Sequence, residues 1–138
     1  MNEDTSDEAN VTDELDAIFV DKNEQVDKKL IVDILKDFIT IDGEGVINFL
    51  EPYSSLKDYQ KALIYLASKK AKMLRGIITE DKEGAGPKEI SDSAFISESS
   101  AKMCVLRDLK GIVKKINGGY IIPNYNMRRV LEVIKNGK

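Results

Sequence analysis

The sequence predicts a mainly α-helical domain that carries one small β-hairpin, an α+β fold of modest size. Apolar residues recur at intervals of three and four along several stretches of the chain. Near the C-terminus, two short apolar runs flank an Asn-Gly-Gly sequence, a combination typical of a hairpin. With 138 residues, of which 42% are hydrophobic, the chain has room for one ordinary domain and a short appendage.

The chain is predicted to divide into three parts. Residues 1–25 are expected to form an acidic, largely disordered arm, because the first ten have little apolar surface to bury. Residues 26–54 are predicted to add a helix and a short strand to the domain proper, residues 55–138. Within the arm, residues 11–20 (VTDELDAIFV) carry an apolar stripe at helical spacing. This stripe leaves three alternatives open: docking on the domain, binding a partner, or remaining loose.

Charge is distributed unevenly along the chain. The arm carries nine acidic groups against Lys22 alone, whereas residues 101–138 carry nine basic groups against Asp108 and Glu132. The whole-chain charge of −3 therefore conceals a basic C-terminal segment. We expect that segment to bind a polyanion, and the arm to bind a protein partner or to cover the basic surface.

The first elements are predicted from periodicity and turn residues. A helix is expected over residues 27–39 with Asp27 as its cap, followed by a turn at residues 42–45. A short strand at residues 46–50 is predicted to end at Pro52. These elements form the predicted N-terminal extension.

The domain proper is predicted to begin with a long helix over residues 56–76. Ser55 and Asp58 approximate a capping box, and residues 79–86 (TEDKEGAG) have the composition of a solvated loop. The lysines of the long helix are expected to lie mostly outside its buried stripe; they are Lys57, Lys61, Lys69, Lys70 and Lys72.

Two shorter helices follow with a tight turn between them. The first is predicted over residues 87–95, and Ser97 is expected to cap the second, residues 98–110. A helical projection of the second helix places Ala101, Cys104, Val105, Leu106 and Leu109 on an inward arc. It places Ser99, Ser100, Met103, Arg107 and Lys110 on the opposite arc, where Glu98 is the one acid.

A hairpin and a last helix complete the predicted domain. Gly111 ends the preceding helix, and residues 112–123 are predicted to form the two strands and the Asn-Gly turn of the hairpin. Asn126 is expected to cap a helix whose apolar residues fit the helical template. Seven residues of the domain are predicted to share one core: Leu63, Leu66, Ala101, Val105, Leu109, Val130 and Ile134.

The order helix, helix, turn, helix, hairpin, helix is that of a winged helix-turn-helix domain, with the hairpin as the wing. The run EISDSAFISESSAKMCVLRDLKGIVKKINGGYIIPNY resembles the winged helix-turn-helix modules of small, mostly uncharacterised archaeal or archaeal-viral proteins. The similarity covers about residues 56–134. It implies a DNA-binding protein, although this fold also serves as a protein-interaction module.

Transferred to this chain, the resemblance implies a DNA site. Helix 98–110 would lie in the major groove, with Arg107 able to make a bidentate contact to guanine, and wing 112–123 would lie on the backbone. Arg128 and Arg129 stand at the start of the last helix, where the dipole disfavours cations, so a phosphate or an acidic partner is expected there. The predicted DNA-binding residues are Ser99, Ser100, Met103, Arg107, Lys110, Lys114, Lys115, Asn117, Arg128 and Arg129.

Residue types that are missing argue against other classes of function. The chain has no histidine and Cys104 is its single cysteine, so the commonest general base and multi-cysteine metal sites are excluded. We therefore expect no enzyme activity, no metal and no cofactor. The acidic N-terminus lacks the pattern of a signal peptide and no long apolar run occurs, which favours a cytoplasmic protein.

The predicted function is transcriptional regulation or organisation of a DNA locus, by a homodimer on double-stranded DNA. The alternative is a winged-helix adaptor that binds protein within a larger assembly.

Overall fold

The computed structural model describes residues 27–136, which form a mainly helical unit with two small antiparallel hairpins. The predictions for the acidic arm lie outside these residues. The helices are α1 (Lys28–Leu35), α2 (Asp58–Leu74), α3 (Pro87–Ala94), α4 (Glu98–Met103) and α5 (Met127–Asn136). The strands are β1 (Ile39–Ile41), β2 (Ile47–Phe49), β3 (Lys114–Ile116) and β4 (Gly119–Ile121).

The first hairpin corrects the prediction of a helix over residues 27–39. Asp27 does cap α1, accepting hydrogen bonds from the Lys29 and Leu30 amides at 3.0 and 3.3 Å, but the helix ends at Leu35. The chain then forms β1, which pairs antiparallel with β2. The predicted turn and the strand at residues 46–50 are confirmed, the strand in shorter form. The Asp42 carboxylate fixes the turn by accepting from two backbone amides of that loop at 2.8 and 3.0 Å.

The start of α2 differs from the predicted capping box. Ser55 belongs to a short 3₁₀ turn, Glu51–Ser55, which also contains the Pro52 that was expected to end the strand. The cap of α2 is Lys57, whose backbone N–H donates to the Gln60 side chain at 2.9 Å. The helix therefore begins two residues later than predicted, although its existence and its end near Gly76 are confirmed.

Helix α2 runs through the middle of the core and contacts the other four helices. The seven residues predicted to share one core are all buried in a single cluster. Because three separate segments supply them, this cluster confirms that the long helix, the second short helix and the last helix pack on one another.

Lys70 is buried, which contradicts the expectation that it lies outside the buried stripe of α2. Its side chain is 2% exposed and its Nζ lies 2.7 Å from the Glu83 carboxylate, whose side chain is 8% exposed. The same Nζ donates to the Asn124 side-chain oxygen at 2.7 Å. A buried ammonium is tolerated here because a carboxylate and an amide, both distant in sequence, satisfy it.

The segment 79–86 is also more ordered than its composition predicts. A 3₁₀ turn, Glu80–Lys82, is followed by Ala85, which is buried and pairs with Tyr120 of β4 through backbone hydrogen bonds of 3.1 and 2.8 Å. A Cβ on Gly119 would lie 2.8 Å from the Ala85 nitrogen, so this close approach requires a glycine. The loop therefore forms a third strand-like edge of the second hairpin.

The second hairpin is confirmed within the predicted residues 112–123. Its strands β3 and β4 are joined by Asn117 and Gly118, both with positive φ (51° and 84°), as a type I′ turn requires.

Candidate nucleic-acid interface

Helices α3 and α4 are joined by the tight turn that the sequence predicts. Helix α3 ends at Ala94, one residue before the predicted end, because Phe95 adopts the left-handed conformation with φ 63°. The Tyr53 hydroxyl donates to the Ala94 carbonyl at 2.5 Å and so holds this end of the helix. Ser97 caps α4 as predicted, accepting from the Ser100 amide at 3.1 Å.

The predicted helix 98–110 does not stay α-helical to its end. Residues Cys104–Asp108 form a π-helical turn, in which the Leu109 amide donates to the Cys104 carbonyl five residues back at 2.7 Å. The wider turn changes the angular position of the residues within it. Leu106, which the α-helical projection places on the inward arc, is 63% exposed, whereas Leu109 is fully buried as predicted. The inward assignment of Leu106 was therefore wrong.

Four predicted base-contacting residues come together on one surface of this helix. Ser99, Ser100, Met103 and Arg107 line a shallow depression of about 330 Å³ beside the N-terminal end of α2. The same depression contains the carboxylates of Asp58 and Asp108. The Arg107 Nε donates to Asp108 at 2.9 Å. The prediction that Glu98 is the one acid on this face is therefore incomplete, and Arg107 is engaged by its neighbour.

Two exposed residues are omitted from the sequence-based site: Lys102 on α4 and Leu106 in the π-helical turn that follows it. The helical projection places Lys102 between Leu109 and Leu106, within the inward arc, so its charge was the signal that could have placed it with the site. The Leu106 side chain could not be assigned in this way because the π-helical turn decides its direction.

The start of α5 is fixed against the end of α4. The Asn126 side-chain amide donates to the Gly111 and Ile112 carbonyls at 3.3 and 2.8 Å, and α5 begins at the next residue. The Arg129 guanidinium lies near Gly111, since a Cβ added there would be 3.9 Å from it. Lys110 precedes Gly111 in the chain, so the Arg129 guanidinium lies close to the backbone that carries Lys110.

We call this surface, which carries six exposed cations, the basic face. Across residues 27–136, some lysines on or next to α1, α2 and α3 pair with carboxylates of Asp33, Glu83, Glu89 and Asp92, whereas others there, such as Lys28 and Lys61, have no carboxylate within 4.0 Å. Six exposed cations of the basic face have no carboxylate within 4.0 Å among the same residues, so their charge is uncompensated at short range. They are Lys102, Lys110, Lys114, Lys115, Arg128 and Arg129.

The second hairpin supplies two of these cations and the predicted tip residue. The Lys115 Nζ lies 5.9 Å from the centroid of the Tyr120 ring, which orients the lysine along the hairpin. Lys114 and Asn117 border a cavity of about 390 Å³ that also contains Glu80 and Asp81. Lys114 and Asn117 therefore lie beside acidic residues, which reduce the positive potential on that side of the hairpin.

Cys104 lies beneath the basic face and is unsuited to chemistry. Burial raises the pKa of its thiol to about 11, with a smaller contribution from the nearby Asp108 carboxylate. Residues 27–136 contain no cluster of acidic, cysteine or histidine side chains that could hold a metal ion. No helix within that part of the chain is long and apolar enough to cross a membrane.

Comparison with protein-family models, with curated proteins and with solved structures finds no match to this chain.

Proposed function

We propose that this protein is a winged helix-turn-helix protein that binds double-stranded DNA through its basic face. The observation that carries the proposal is the set of six exposed cations without carboxylate partners on α4, at Lys110, on the second hairpin and at the start of α5. DNA presents a phosphate charge about every 1.7 Å along its axis, so such a face gains affinity by releasing counterions. Regulation of transcription or organisation of a DNA locus is the role this binding would serve.

The order of the elements supports the winged-helix part of the proposal. Helix α2, the strand-like residue Ala85, helices α3 and α4, and the second hairpin follow one another as the parts of that domain do. In this arrangement α4 enters the major groove and the hairpin contacts the backbone. A homodimer on paired half-sites belongs to the same proposal, and analytical ultracentrifugation with and without DNA tests it.

The π-helical turn changes which side chains are available to contact DNA bases. A bidentate contact from Arg107 to guanine requires its exposed ion pair with Asp108 to open, which costs at most about 1 kcal/mol. Leu106 is exposed on the same helix and offers an apolar contact to a thymine methyl group. We therefore assign sequence discrimination to Ser99, Met103 and Leu106 together with Arg107.

A second candidate function is a protein-binding adaptor, and exposed apolar side chains favour it. Phe95, Met103 and Leu106 are 69%, 41% and 63% exposed around the turn and helix α4. Apolar side chains on such a surface are common where one protein contacts another. Both candidates use α4, so the decisive measurement is one that responds to phosphate contacts.

The test is a salt series of binding titrations, with the full chain and a fluorescent duplex. Lys114→Ala with Lys115→Ala should weaken binding to all duplexes alike and reduce the slope of log K against log salt by about 0.9 for each lost phosphate contact. Lys28→Ala with Lys29→Ala is the matched control, because these exposed lysines lie on α1. Its slope should equal that of the unmodified protein.

Two results would contradict the proposal. Dissociation constants weaker than about 10⁻⁴ M at low salt would leave too little affinity even for a non-specific DNA-binding protein. Equal slopes for the hairpin variant and its α1 control would show that the basic face makes no phosphate contacts. If Leu106→Asp then abolished capture of a protein partner, the adaptor would be the better explanation.

A further inference from the structure

A groove with an apolar floor and a basic rim lies at the C-terminal end of α2. The depression beside Ser99 lies at the other end of the same helix. The volume of the groove is about 420 Å³, and α1, β1 and the last turn of α2 form its walls. The floor includes Val32, which is 55% exposed although it lies among apolar neighbours. An open apolar side chain in a concave apolar surface offers a contact that another chain segment can bury. The floor residues used here are Ile31, Val32, Ile39, Ile41, Ala71 and Ile77.

The rim of this groove gives the charge that its occupant should carry. Lys36, Lys72 and Arg75 border the groove, and Asp42 is the acid that lies with them. The Asp42 carboxylate already accepts hydrogen bonds from two backbone amides of its own turn, one of them that of Glu44. The groove is therefore complementary to an apolar segment flanked by carboxylates.

The acidic arm of the same chain contains a segment of that chemistry. Residues 11–20 include three acids and no basic residue, and their apolar stripe has the spacing i, i+4, i+7, i+8. The stripe consists of Val11, Leu15, Ile18 and Phe19, and the acids are Asp13, Glu14 and Asp16.

The connection between the segment and the groove is long enough. Residues 21–26 link the segment to Asp27, the cap of α1, and six extended residues span roughly 20 Å. Helix α1 has eight residues and is about 12 Å long. The segment can therefore turn back along α1, whose Ile31 and Val32 lie in the groove.

We propose that residues 11–20 dock in this groove of their own chain, with the apolar stripe on the floor and the carboxylates against Lys36, Lys72 and Arg75. The tether raises the local concentration of the segment, so a small apolar contact suffices for docking. This proposal is independent of DNA binding and makes α1 and the first hairpin a receptor for the arm.

The test is paramagnetic relaxation in the full chain. Ala17 lies off the stripe, so Ala17→Cys accepts a nitroxide label there, and the buried Cys104 does not compete for the reagent. The backbone amide signals of Val32, Ile41 and Ile77 should broaden, whereas those of Lys102 and Lys115 on the basic face should keep their intensity.

Paired variants show whether docking in the groove causes the broadening. Val32→Asp should abolish the broadening, whereas Val46→Asp should leave it unchanged, since Val46 is 60% exposed and does not line the groove. Leu15→Asp with Phe19→Asp changes the arm alone and should also abolish it, which keeps the test valid if Val32→Asp does not fold.

Three results would overturn the proposal. Broadening on the basic face would mean that the arm covers that surface, and an absence of broadening throughout residues 27–136 would mean that the arm docks nowhere on the domain. Broadening that passes from a labelled chain to a second, isotope-enriched chain in a mixture would assign the groove to a neighbouring copy.

Discussion

Lys70→Met tests whether the buried ion pair beneath the second hairpin controls stability. The substitution shortens the side chain only by the charged end group and leaves the Glu83 carboxylate, 8% exposed, without its cation at 2.7 Å. Removing one partner from a buried pair costs about 3–5 kcal/mol, because the remaining charge is desolvated and uncompensated. The hydrogen bond to Asn124 is lost as well. We therefore expect a loss of at least about 3 kcal/mol in the free energy of unfolding.

Thermal and urea denaturation measure this loss. For a folded unit of about 110 residues, each kcal/mol corresponds to roughly 4 °C in Tm, so the midpoint should fall by about 12–20 °C. Lys69→Met is the matched control from the same helix. Its Nζ lies 2.6 Å from Glu89, but that carboxylate side chain is 40% exposed and is solvated when the lysine is removed. The control should cost about 1 kcal/mol or less.

A double substitution separates charge from packing. Lys70→Met together with Glu83→Leu removes both charges and should recover most of the stability lost in the single variant, because apolar pairs often replace buried ion pairs without loss. The reasoning would be refuted if Lys70→Met cost no more than Lys69→Met, or if the second substitution lowered stability further.

Three other substitutions or measurements follow from burial and backbone geometry. Leu109→Ala should cost about 2–5 kcal/mol and Leu106→Ala about 0.5 kcal/mol or less, since one is fully buried and the other is 63% exposed; equal losses in urea denaturation would contradict the π-helical turn. Gly119→Ala should destabilise more than Gly43→Ala, because its Cβ would lie 2.8 Å from a backbone nitrogen whereas a Cβ on Gly43 would have no atom within 4 Å; the reverse order of Tm values would exclude the strand-like edge. Cys104 should react slowly with iodoacetamide at pH 8 until urea unfolds the chain, because its pKa of about 11 keeps the thiol protonated. The stability that the protonated thiol contributes should be present below pH 9 and lost as the pH rises towards 11.

The helices and the core were predictable from the sequence because their signal is local. Apolar residues at helical spacing identify α2, α4 and α5 within single segments, and the seven core residues follow from those stripes. Asp27 and Ser97 were predicted as caps, since a short polar side chain before an apolar stripe suffices to indicate one. The turn of the second hairpin was equally local, because Asn-Gly favours positive φ at both positions.

The predictions that were wrong concern residues whose environment depends on partners distant in sequence. Lys70 was expected outside because lysines usually are exposed, and only its meeting with Glu83 and Asn124 makes burial tolerable. Ala85 was assigned to a solvated loop from the glycines around it, although those glycines allow the close approach to β4. The first helix was predicted to continue to residue 39 since the apolar residues extend the helical stripe, whereas the helix ends at Leu35 and Ile39 begins the strand that pairs with β2.

The sequence predicted which residue types belong to the candidate site, but not which side chains the end of the second short helix exposes. Ser99, Ser100, Met103 and Arg107 line one depression as their helical spacing predicts, whereas contact of the cations with DNA stays a prediction. The π-helical turn could not be derived from spacing, because a one-residue change in hydrogen bonding has no marker in the sequence. That turn exposes Leu106 and brings Arg107 into contact with Asp108, and so alters the side chains available to a partner.

The bridge between Ala85 and Tyr120 determines how the second hairpin opens. An isolated hairpin with three-residue strands is marginal in water and would fray independently of the rest of the domain. Here the two backbone hydrogen bonds tie it to the segment that leads into α3, so the hairpin and that segment should unfold locally as one cooperative unit. Their amides would then share a common free energy of opening in native-state hydrogen exchange. Any ligand that orders the hairpin would also slow exchange at the start of α3.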